Sequence, residues 1–571
     1  MLEKIDNKKN MMIKILTIAS YIVSIFMYEL FICNGVRNDD GFNFSLCRYI
    51  MYGIFLVLVI FFLDKYILEA VKTFEKKPKK VVFIGYCIIS IMLIIYIALR
   101  WTSMYKATLF IIALLMGALF IFYVSTNFVK NVTVAICTVG MMFTVTTSFQ
   151  HGLDEKKHAM SAINLAYGNF DYAKNPLNEP AFNNIIFNCD VTQYSKFFAE
   201  KYEPGLTEDW GNTKDEKLYY ISSSPADYNF ILYIPSAIGM KIAITLGGSI
   251  ADVYIMGRLF NLIAYGILVA LALKILPSKQ KIFSIIYLLP MPLLLAASYS
   301  IDGICIGFIG IFIAYCLRLA KDYTQIKLKQ MFILLVLFVL CLLAKNLAYF
   351  AIAVFVLIIP IIKTLKNNKD KLSVIIATIL VLVMACAGLL LYKLNSSVIN
   401  GEADARGGDT DGKAQLEFLI ENPTNIVKVV FKHLMSSLLN FDWYAELNQQ
   451  EFFGIYYKQI FLLEFIFLIY VAITDDSEQL NTRTKLVSVL TFFAVYLSTS
   501  LMLYITFTPV GTIGINGYQT RYIVPILPLV LMIINRKDNK YKNNDVIIYM
   551  ISGMFILIDL LCSIYKIQYR K

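Results

Sequence analysis

Apolar runs of about twenty residues, the length that a helix needs to cross a bilayer core, recur along the whole chain. Runs such as 373–392 and 486–504 are apolar on every side of a helix, whereas a surface helix of a soluble protein turns a polar face to water. The pattern predicts an all-α, polytopic integral membrane protein without a soluble catalytic domain. The first run, 11–33, lacks the small-residue cleavage site of a secretory signal and is expected to be a retained helix.

Basic residues lie in short clusters between the apolar runs. The chain has 52 Lys and Arg against 40 Asp and Glu, a net charge of +12. Such clusters orient membrane helices from the cytoplasmic side, whereas nucleic-acid binding needs a continuous basic face. We therefore expect membrane lipids and no nucleic acid as partners, and place in the cytoplasm the clusters near 72–80, 274–281, 318–329, 363–371, 483–485 and 536–542.

One arrangement of helices satisfies these clusters. The run 230–246, broken by Pro235 and Gly239, is predicted to be re-entrant or interfacial. Helices that carry the chain to the outside at residue 148 are predicted near 11–33, 48–68, 82–100, 107–125 and 131–147. Later crossings, for a total of about fifteen, are predicted near 252–273, 282–299, 303–320, 331–344, 347–362, 372–392, 455–473, 486–507, 520–535 and 545–565. Segments 148–229 and 394–452 then lie outside and form a small cap.

A carboxylate pair lies where the run 132–147 gives way to the longest polar segment. Residues 151–158 read H-G-L-D-E-K-K-H, and a short helix there places His158 on the same face as Asp154 and Glu155. Carboxylates just outside the hydrocarbon can be partly desolvated and still reach a lipid-borne and a water-soluble substrate. Acidic residues also favour helix N-termini, so the residues alone leave both readings open.

Three cations lie near predicted outer helix ends. Arg258 is about a turn and a half inside its helix, and Lys345 occupies a short outer turn. Arg521 begins a helix after the Gly-rich loop 508–517, where helix N-terminal N–H groups favour an anion. Each is a candidate for binding a phosphate or a carboxylate, with snorkelling or interfacial anchoring as the alternative.

Other polar residues complete the set of candidates. Asp302 lies at an outer helix boundary, where capping alone could explain it, and Gln519 and Tyr522 flank Arg521. The acidic run 404–411 lacks the spacing of a calcium loop and its terminal Glu, so we predict no metal and no cofactor.

The order of these pieces resembles a family of uncharacterised bacterial membrane proteins related to the class C (GT-C) membrane glycosyltransferases. The matching segments are D-E-x-x-H at 154–158, A-x-x-x-A-Y-G-N-F at 162–170, Y-I-P-S-A-I-G at 233–239, G-R-L-F-N-L-I-A-Y at 257–265, L-L-P-M-P-L-L-L-A-A-S-Y-S-I-D-G at 288–303, A-K-N-L-A-Y at 344–349, Q-x-x-F-x-x-E-N-P at 415–423 and G-Y-Q-T-R-Y-I-V-P at 517–525. The chain departs from the family at Lys156 and Ile301, where Pro is usual. The resemblance divides the chain into additional N-terminal helices, 1–130, and a GT-C-like bundle, 131–571.

The resemblance implies transfer of a sugar from a polyprenyl-phosphate-linked donor to a cell-surface glycan acceptor outside the bacterial cytoplasmic membrane. It implies Asp154 as general base, with Glu155 as second choice or as the group that orients the acceptor. The leaving lipid phosphate would meet Arg258, Lys345 and Arg521, and a single attack on the sugar predicts inversion. His158, Asp302, Gln519 and Tyr522 are then candidate substrate-binding residues.

Two other functions stay open at this point. A transporter or flippase of lipid-linked saccharides would use Glu464 and Asp559, acidic residues inside predicted spans, on a polar pathway. A polysaccharide polymerase or ligase would share the outer site and transfer a chain.

Overall fold

The computed structural model describes residues 2–33, 45–57, 60, 77–100, 104–147, 154–172, 228–345, 348–367, 371, 375, 379, 410–440, 443, 458–475, 477–534 and 545–566. Throughout these residues the regular elements are helices, and eight of the helices are long and apolar enough to cross a membrane. The all-α, polytopic prediction is therefore confirmed. The N-terminal helices are α1 Leu2–Met27, α2 Leu46–Val57, α3 Lys77–Arg100, α4 Met104–Tyr123 and α5 Phe128–Thr146.

The remaining helices alternate long spans with short pieces. The central group is α6 Glu155–Ala166, α7 Ile234–Thr245, α8 Ile250–Ile275, α9 Gln280–Tyr287, α10 Pro290–Ala296, α11 Asp302–Lys321, α12 Leu328–Leu343 and α13 Ile361–Asn367. The last group is α14 Gly412–Glu421, α15 Pro423–Ser436, α16 Lys458–Ile473, α17 Thr482–Phe507, α18 Leu527–Leu531 and α19 Asp545–Lys566. Short 3₁₀ helices, which satisfy the backbone where α geometry stops, cover Phe230–Tyr233, Phe350–Ile358, Thr520–Tyr522 and Val524–Ile526.

Two predicted single helices are interrupted by proline. The span expected near 282–299 is split into α9 and α10 because Pro290 begins the second piece. The span expected near 520–535 is a series of 3₁₀ turns followed by α18, with Pro525 and Pro528 at the starts of successive pieces. Hydropathy cannot distinguish these pieces from a continuous helix, so those two predictions were wrong in detail. Most of the span expected at 372–392 lies outside the described residues.

Helix α8 is central to the packing of the bundle. It begins with a capping box, in which Ser249 Oγ accepts from Asp252 N and Asp252 Oδ2 accepts from Ser249 N. The preceding helix α7 has 12 residues, about 18 Å at the α-helical rise, too short to cross a core of about 30 Å. It lies so close to α8 that a Cβ at Gly239 would stand 2.3 Å from the carbonyl oxygen of Met256. Glycine at this position therefore permits the close helix packing.

The N-terminal helices are joined to the rest of the chain by buried polar contacts. Ser45 donates to Asp252 at 2.6 Å, next to the start of α8. Arg48 and Tyr52 both donate to Glu29, through Nε at 2.6 Å and Oη at 2.7 Å. Buried hydrogen bonds of this kind fix the position of α2 against α8 and against the π-helical turn Tyr28–Cys33 that follows α1. The division at residue 130 stays a prediction.

Candidate functional site

Four charged side chains from distant parts of the chain form one cluster. Lys345 Nζ lies 2.5 Å from Asp302 Oδ1, and Arg521 Nη1 lies 3.5 Å from Asp302 Oδ2. Arg521 Nη2 also donates to Asp154 Oδ2 at 3.2 Å. We call Asp154, Asp302, Lys345 and Arg521 the charged cluster. It joins the start of α6, the start of α11, the end of α12 and the 3₁₀ turn at Thr520–Tyr522.

Asp154 occupies the N-cap position of α6 without acting as a cap. Its side chain makes no capping hydrogen bond, and its backbone is left-handed, with φ of 55°. The side chain is 34% exposed, against 4% for Asp302 and 7% for Arg521. Capping therefore does not explain this carboxylate. Asp154 is the open edge of the charged cluster, where an incoming molecule can reach it.

Lys345 has an unusual backbone conformation as well. Its φ of 49° is left-handed, a region that a residue with a long side chain seldom adopts. Its ammonium lies 4.0 Å from the ring centroid of Tyr522, and the guanidinium of Arg521 lies 5.4 Å from the same centroid. Such a conformation persists only where the surroundings determine it, and it is frequent at ligand sites. The two cations thus share one aromatic ring and do not extend to solvent as snorkelling side chains would.

Three buried polar atoms of this region make no hydrogen bond to any described residue. They are Arg521 Nε, Gln519 Oε1 and Lys345 Nζ, the last of which is ion-paired with Asp302. Buried donors and acceptors are nearly always satisfied in folded proteins, so these atoms mark a position at which a ligand or a water can bind. A ligand beside Arg521 would supply an acceptor for the Nε–H group.

Glu155 and Arg258 form a separate, closed pair. Arg258 donates to both carboxylate oxygens of Glu155 at 2.7 Å, and both side chains are fully buried. Its Nη1 donates to the carbonyl oxygens of Thr144 and Thr147, and Glu155 Oε1 accepts from Tyr299 N at 3.2 Å. The pair therefore ties the end of α5, the start of α6 and the turn before Asp302 to α8. Its geometry fits positioning of the two cluster carboxylates better than contact with a substrate.

Asn261, which sequence reasoning did not single out, holds the same turn. Its Nδ2 donates to Ser298 O at 2.8 Å, Ser300 O at 3.0 Å and Ala296 O at 3.3 Å. A polar amide inside an apolar helix was the available signal, because such a group needs internal partners in a membrane. Asn261 thus orients the chain into Asp302.

His158 lies in an aromatic pocket beside the charged cluster. Its Nδ1 and Tyr233 Oη form a hydrogen bond of 2.8 Å, and the rings of Tyr228 and Tyr233 are each 5.8 Å from the imidazole. Burial lowers the pKa of His158 from 6.5 to about 4, although the carboxylates Asp154 and Asp302 act to raise it. The imidazole is therefore neutral at physiological pH.

Because His158 is buried in its neutral form, we expect the free energy of unfolding to fall in acid. The unfolded chain takes up the proton near pH 6.5 and the folded chain only near pH 4. The contribution of His158 to the free energy of unfolding is therefore complete above pH 6.5 and disappears as the pH falls to about 4. The loss is roughly 3 kcal/mol for His158. Thermal unfolding of wild type and His158→Gln between pH 7 and pH 4.5 measures it. The variant should lose less, whereas identical pH profiles would contradict the assignment. His433, whose pKa burial also lowers to about 4, adds a loss common to both proteins.

The other predicted residues lie elsewhere or outside the described residues. Glu464 lies in α16 and Asp559 in α19, helices that contribute no residue to the charged cluster. Most of the predicted outer segment 148–229 and the acidic residues 404–409 are outside the described residues. In the segment 394–452, predicted to lie outside, Trp443 Nε1 donates to Tyr518 O at 3.3 Å, and Tyr518 contacts Tyr522 with ring centroids 5.6 Å apart. That segment therefore packs directly behind the cluster.

The orientation of the cluster follows from α8. Arg258 lies about 17 residues before the end of this helix at Ile275, roughly 26 Å along its axis. The basic cluster 274–281, predicted to face the cytoplasm, lies just beyond that end. Because Arg258 pairs with Glu155, the neighbour of Asp154, the charged cluster lies toward the end of α8 opposite to these lysines.

Comparison with known proteins identifies one family. A family model described as "Predicted membrane protein (DUF2142)" matches residues 137–530. This range includes every residue of the charged cluster and the Glu155–Arg258 pair. No curated protein and no solved structure matches the chain.

Proposed function

The chain belongs to the DUF2142 family of predicted membrane proteins, and from its site we propose a membrane glycosyltransferase. The enzyme would move a sugar from a polyprenyl-phosphate-linked donor to a cell-surface glycan or glycopolymer on the outer side of a bacterial plasma membrane. The single observation that carries the proposal is the charged cluster. The partly exposed carboxylate of Asp154 pairs with Arg521, Asp302 holds Lys345 beside it, and the buried Nε–H group of Arg521 has no acceptor among the described residues.

Asp154 is the proposed general base. An acceptor hydroxyl must lose its proton as it attacks the anomeric carbon, and a carboxylate within hydrogen-bond reach can take that proton. Asp154 is the exposed carboxylate of the cluster, whereas Glu155 is buried and paired with Arg258. We therefore propose that Glu155 and Arg258 position the charged cluster. The sequence had suggested Glu155 as an alternative base and Arg258 as a phosphate-binding residue.

Lys345 and Arg521 are the proposed phosphate-binding residues. The donor phosphodiester carries one negative charge, and the released polyprenyl phosphate, a monoester, gains most of a second. Fixed cations aimed at that developing charge stabilise the transition state. Asp302 holds both cations in place before the donor arrives, since it pairs with each of them.

The arrangement favours a single displacement with inversion at the anomeric carbon. A retaining enzyme needs a second carboxylate free to attack the sugar. Asp302 is 4% exposed and engaged by two cations, so it is poorly placed as a nucleophile. Inversion is checked by the anomeric configuration of the product.

Substitution of Arg521 tests the phosphate role. In proteoliposomes supplied with polyprenyl-phosphate-linked sugars extracted from host membranes, we expect Arg521→Gln to transfer sugar about 10² to 10³ times more slowly than wild type. Arg521→Lys should restore little, because one ammonium cannot reach both Asp154 and Asp302 while leaving an Nε–H donor free. Lys485, in the first turn of α17, offers a control as Lys485→Gln with unchanged transfer. Unchanged transfer in Arg521→Gln would contradict the role.

The alternative functions make different demands. A transporter or flippase of lipid-linked saccharide would depend on Glu464 and Asp559 and tolerate changes at Asp154. A polymerase or ligase would depend on the same charged cluster and yield a longer product. Product length and the sensitivity of Asp154 therefore separate the three.

A further inference from the structure

Helices α16 and α19 run antiparallel from a common charged end. Lys279 Nζ lies 3.5 Å from Asp475 Oδ2, just after α16, and Lys281 Nζ lies 2.7 Å from Asp545 Oδ1, the first residue of α19. Lys279 and Lys281 are two residues apart at the start of α9. The end of α16 and the beginning of α19 are therefore held at the same level, on the predicted cytoplasmic side.

Ring contact between the two helices fixes their register. Phe467 of α16 and Phe555 of α19 have ring centroids 5.6 Å apart. Glu464 lies three residues before Phe467, and Asp559 lies four residues after Phe555, so each carboxylate shares a helix face with its neighbouring ring. Because the helices are antiparallel, both carboxylates lie one turn from the ring contact in the same direction. Both carboxylates thus lie at one level of the interface.

Both carboxylates are buried in the membrane-spanning region. Glu464 is 3% exposed and Asp559 is 5% exposed. Asp559 is 14 residues into α19, about 21 Å from its start, inside a hydrocarbon core of about 30 Å. Asp559 Oδ2 has no hydrogen-bond partner among the described residues. Two ionised carboxylates at this depth would each carry a large desolvation cost and repel one another.

We propose that Glu464 and Asp559 form a proton-binding site in which the two carboxyl groups share one exchangeable proton. Sharing gives one group a donor and the other an acceptor, as in pairs of carboxylates that cannot both ionise. A shared proton would give the buried Oδ2 of Asp559 the hydrogen bond that it lacks among the described residues. The site is independent of the charged cluster and of the proposed sugar transfer.

The helices packed against α16 and α19 carry further titratable groups. Tyr86 of α3 donates to Leu114 O at 2.6 Å, and Tyr123 at the inner end of α4 bonds to Thr17 at 2.9 Å. Tyr470 of α16 is 48% exposed, two turns nearer the cytoplasmic end. Among the side chains that the structure describes, the other titratable groups on α3, α4, α5 and α9 are Lys79, Lys80, Cys87, Tyr96, Lys106, Lys130, Cys137, Lys281 and Tyr287.

Apolar residues next to the two buried carboxylates are exposed on the surface of the bundle. Leu463 and Ile466, beside Glu464, are 57% and 55% exposed, and Ile558, beside Asp559, is 39% exposed. Exposed apolar residues in a membrane span face lipid tails. An apolar reagent dissolved in the bilayer can therefore approach the pair, whereas a charged, water-soluble reagent cannot.

Carbodiimide labelling of the full-length protein in lipid vesicles tests the proposal. A protonated carboxyl adds to the apolar reagent dicyclohexylcarbodiimide: the proton moves to a reagent nitrogen, the carboxyl oxygen bonds the central carbon, and rearrangement leaves a stable N-acylurea that retains every atom of both. Peptide mass spectrometry should find one adduct per chain, on Glu464 or Asp559. Asp475 and Glu155, which are buried but ion-paired, should remain unmodified. A water-soluble carbodiimide should leave the pair unmodified.

Two variants complete the test. In Asp559→Asn the adduct should move entirely to Glu464, and in Glu464→Gln entirely to Asp559. Infrared spectroscopy should show a protonated-carboxyl band in wild type that disappears in the double variant, a readout that does not depend on reagent access. Absence of both the adduct and the band, or two adducts on one chain, would overturn the shared proton.

Discussion

Asp154→Asn is expected to abolish sugar transfer while leaving the protein folded and inserted in the membrane. The amide cannot accept the proton of the acceptor hydroxyl, and loss of a general base costs about 10² to 10⁴ in rate. The fold should tolerate the change because Asp154 is partly exposed and makes no capping hydrogen bond. Transfer is measured in proteoliposomes, and folding by the midpoint of thermal unfolding in the same preparation.

Asp171 provides the matched control for this variant. It is an exposed aspartate of the same polar segment, 17 positions further along the chain. Asp171→Asn should keep wild-type transfer and the wild-type unfolding midpoint. If Asp154→Asn retained more than a tenth of the wild-type rate, Asp154 would not be the base.

Arg258→Met is expected to destabilise the bundle more than any change in the charged cluster. The change leaves the Glu155 carboxylate buried without its bidentate partner. It also removes the Nη1 group that donates to the carbonyl oxygens of Thr144 and Thr147. Breaking a buried ion pair in this way costs about 3 to 5 kcal/mol in the free energy of unfolding. Thermal or denaturant unfolding in detergent measures the loss.

A double-mutant cycle separates the pair from its surroundings. Glu155→Met with Arg258→Met replaces two buried charges by apolar side chains and should recover a large part of the stability lost in Arg258→Met. Arg48→Met, which breaks the Glu29 pair in the N-terminal helices, is a control for ion-pair loss away from the site. Wild-type stability of Arg258→Met would contradict the positioning role.

Hydropathy predicted most of the spans because a bilayer requires long apolar helices, and α8, α11, α17 and α19 lie close to their predicted positions. It failed where proline interrupts an apolar run, as at Pro290 and Pro525, since the interruption changes the backbone without changing the apolar character. The 3₁₀ helix Phe350–Ile358 was likewise invisible, because side-chain hydropathy does not record backbone hydrogen bonding.

The site was predicted as a set of residues, and its internal pairing was not. Asp154 and Glu155 are adjacent, yet one pairs with Arg521 and the other with Arg258. Asp154 has a left-handed backbone before the helix, whereas Glu155 is the first residue of α6, so the two side chains face different partners. The choice of partner depends on how α6 packs against α8, which the spacing of motifs along the chain does not record. The left-handed conformation of Lys345 could not be anticipated either, since lysine has no preference for it.

Native mass spectrometry of the purified protein with polyprenyl phosphate tests the central claim most directly, because it measures lipid-phosphate binding without knowledge of the sugar. The account predicts a bound lipid in wild type and in Asp154→Asn, and loss of that lipid in the Lys345→Gln, Arg521→Gln double variant. Neither wild type nor any of these variants should bind polyprenol, which lacks the phosphate. Equal binding of polyprenyl phosphate by the double variant and wild type, or no binding by wild type, would contradict the account.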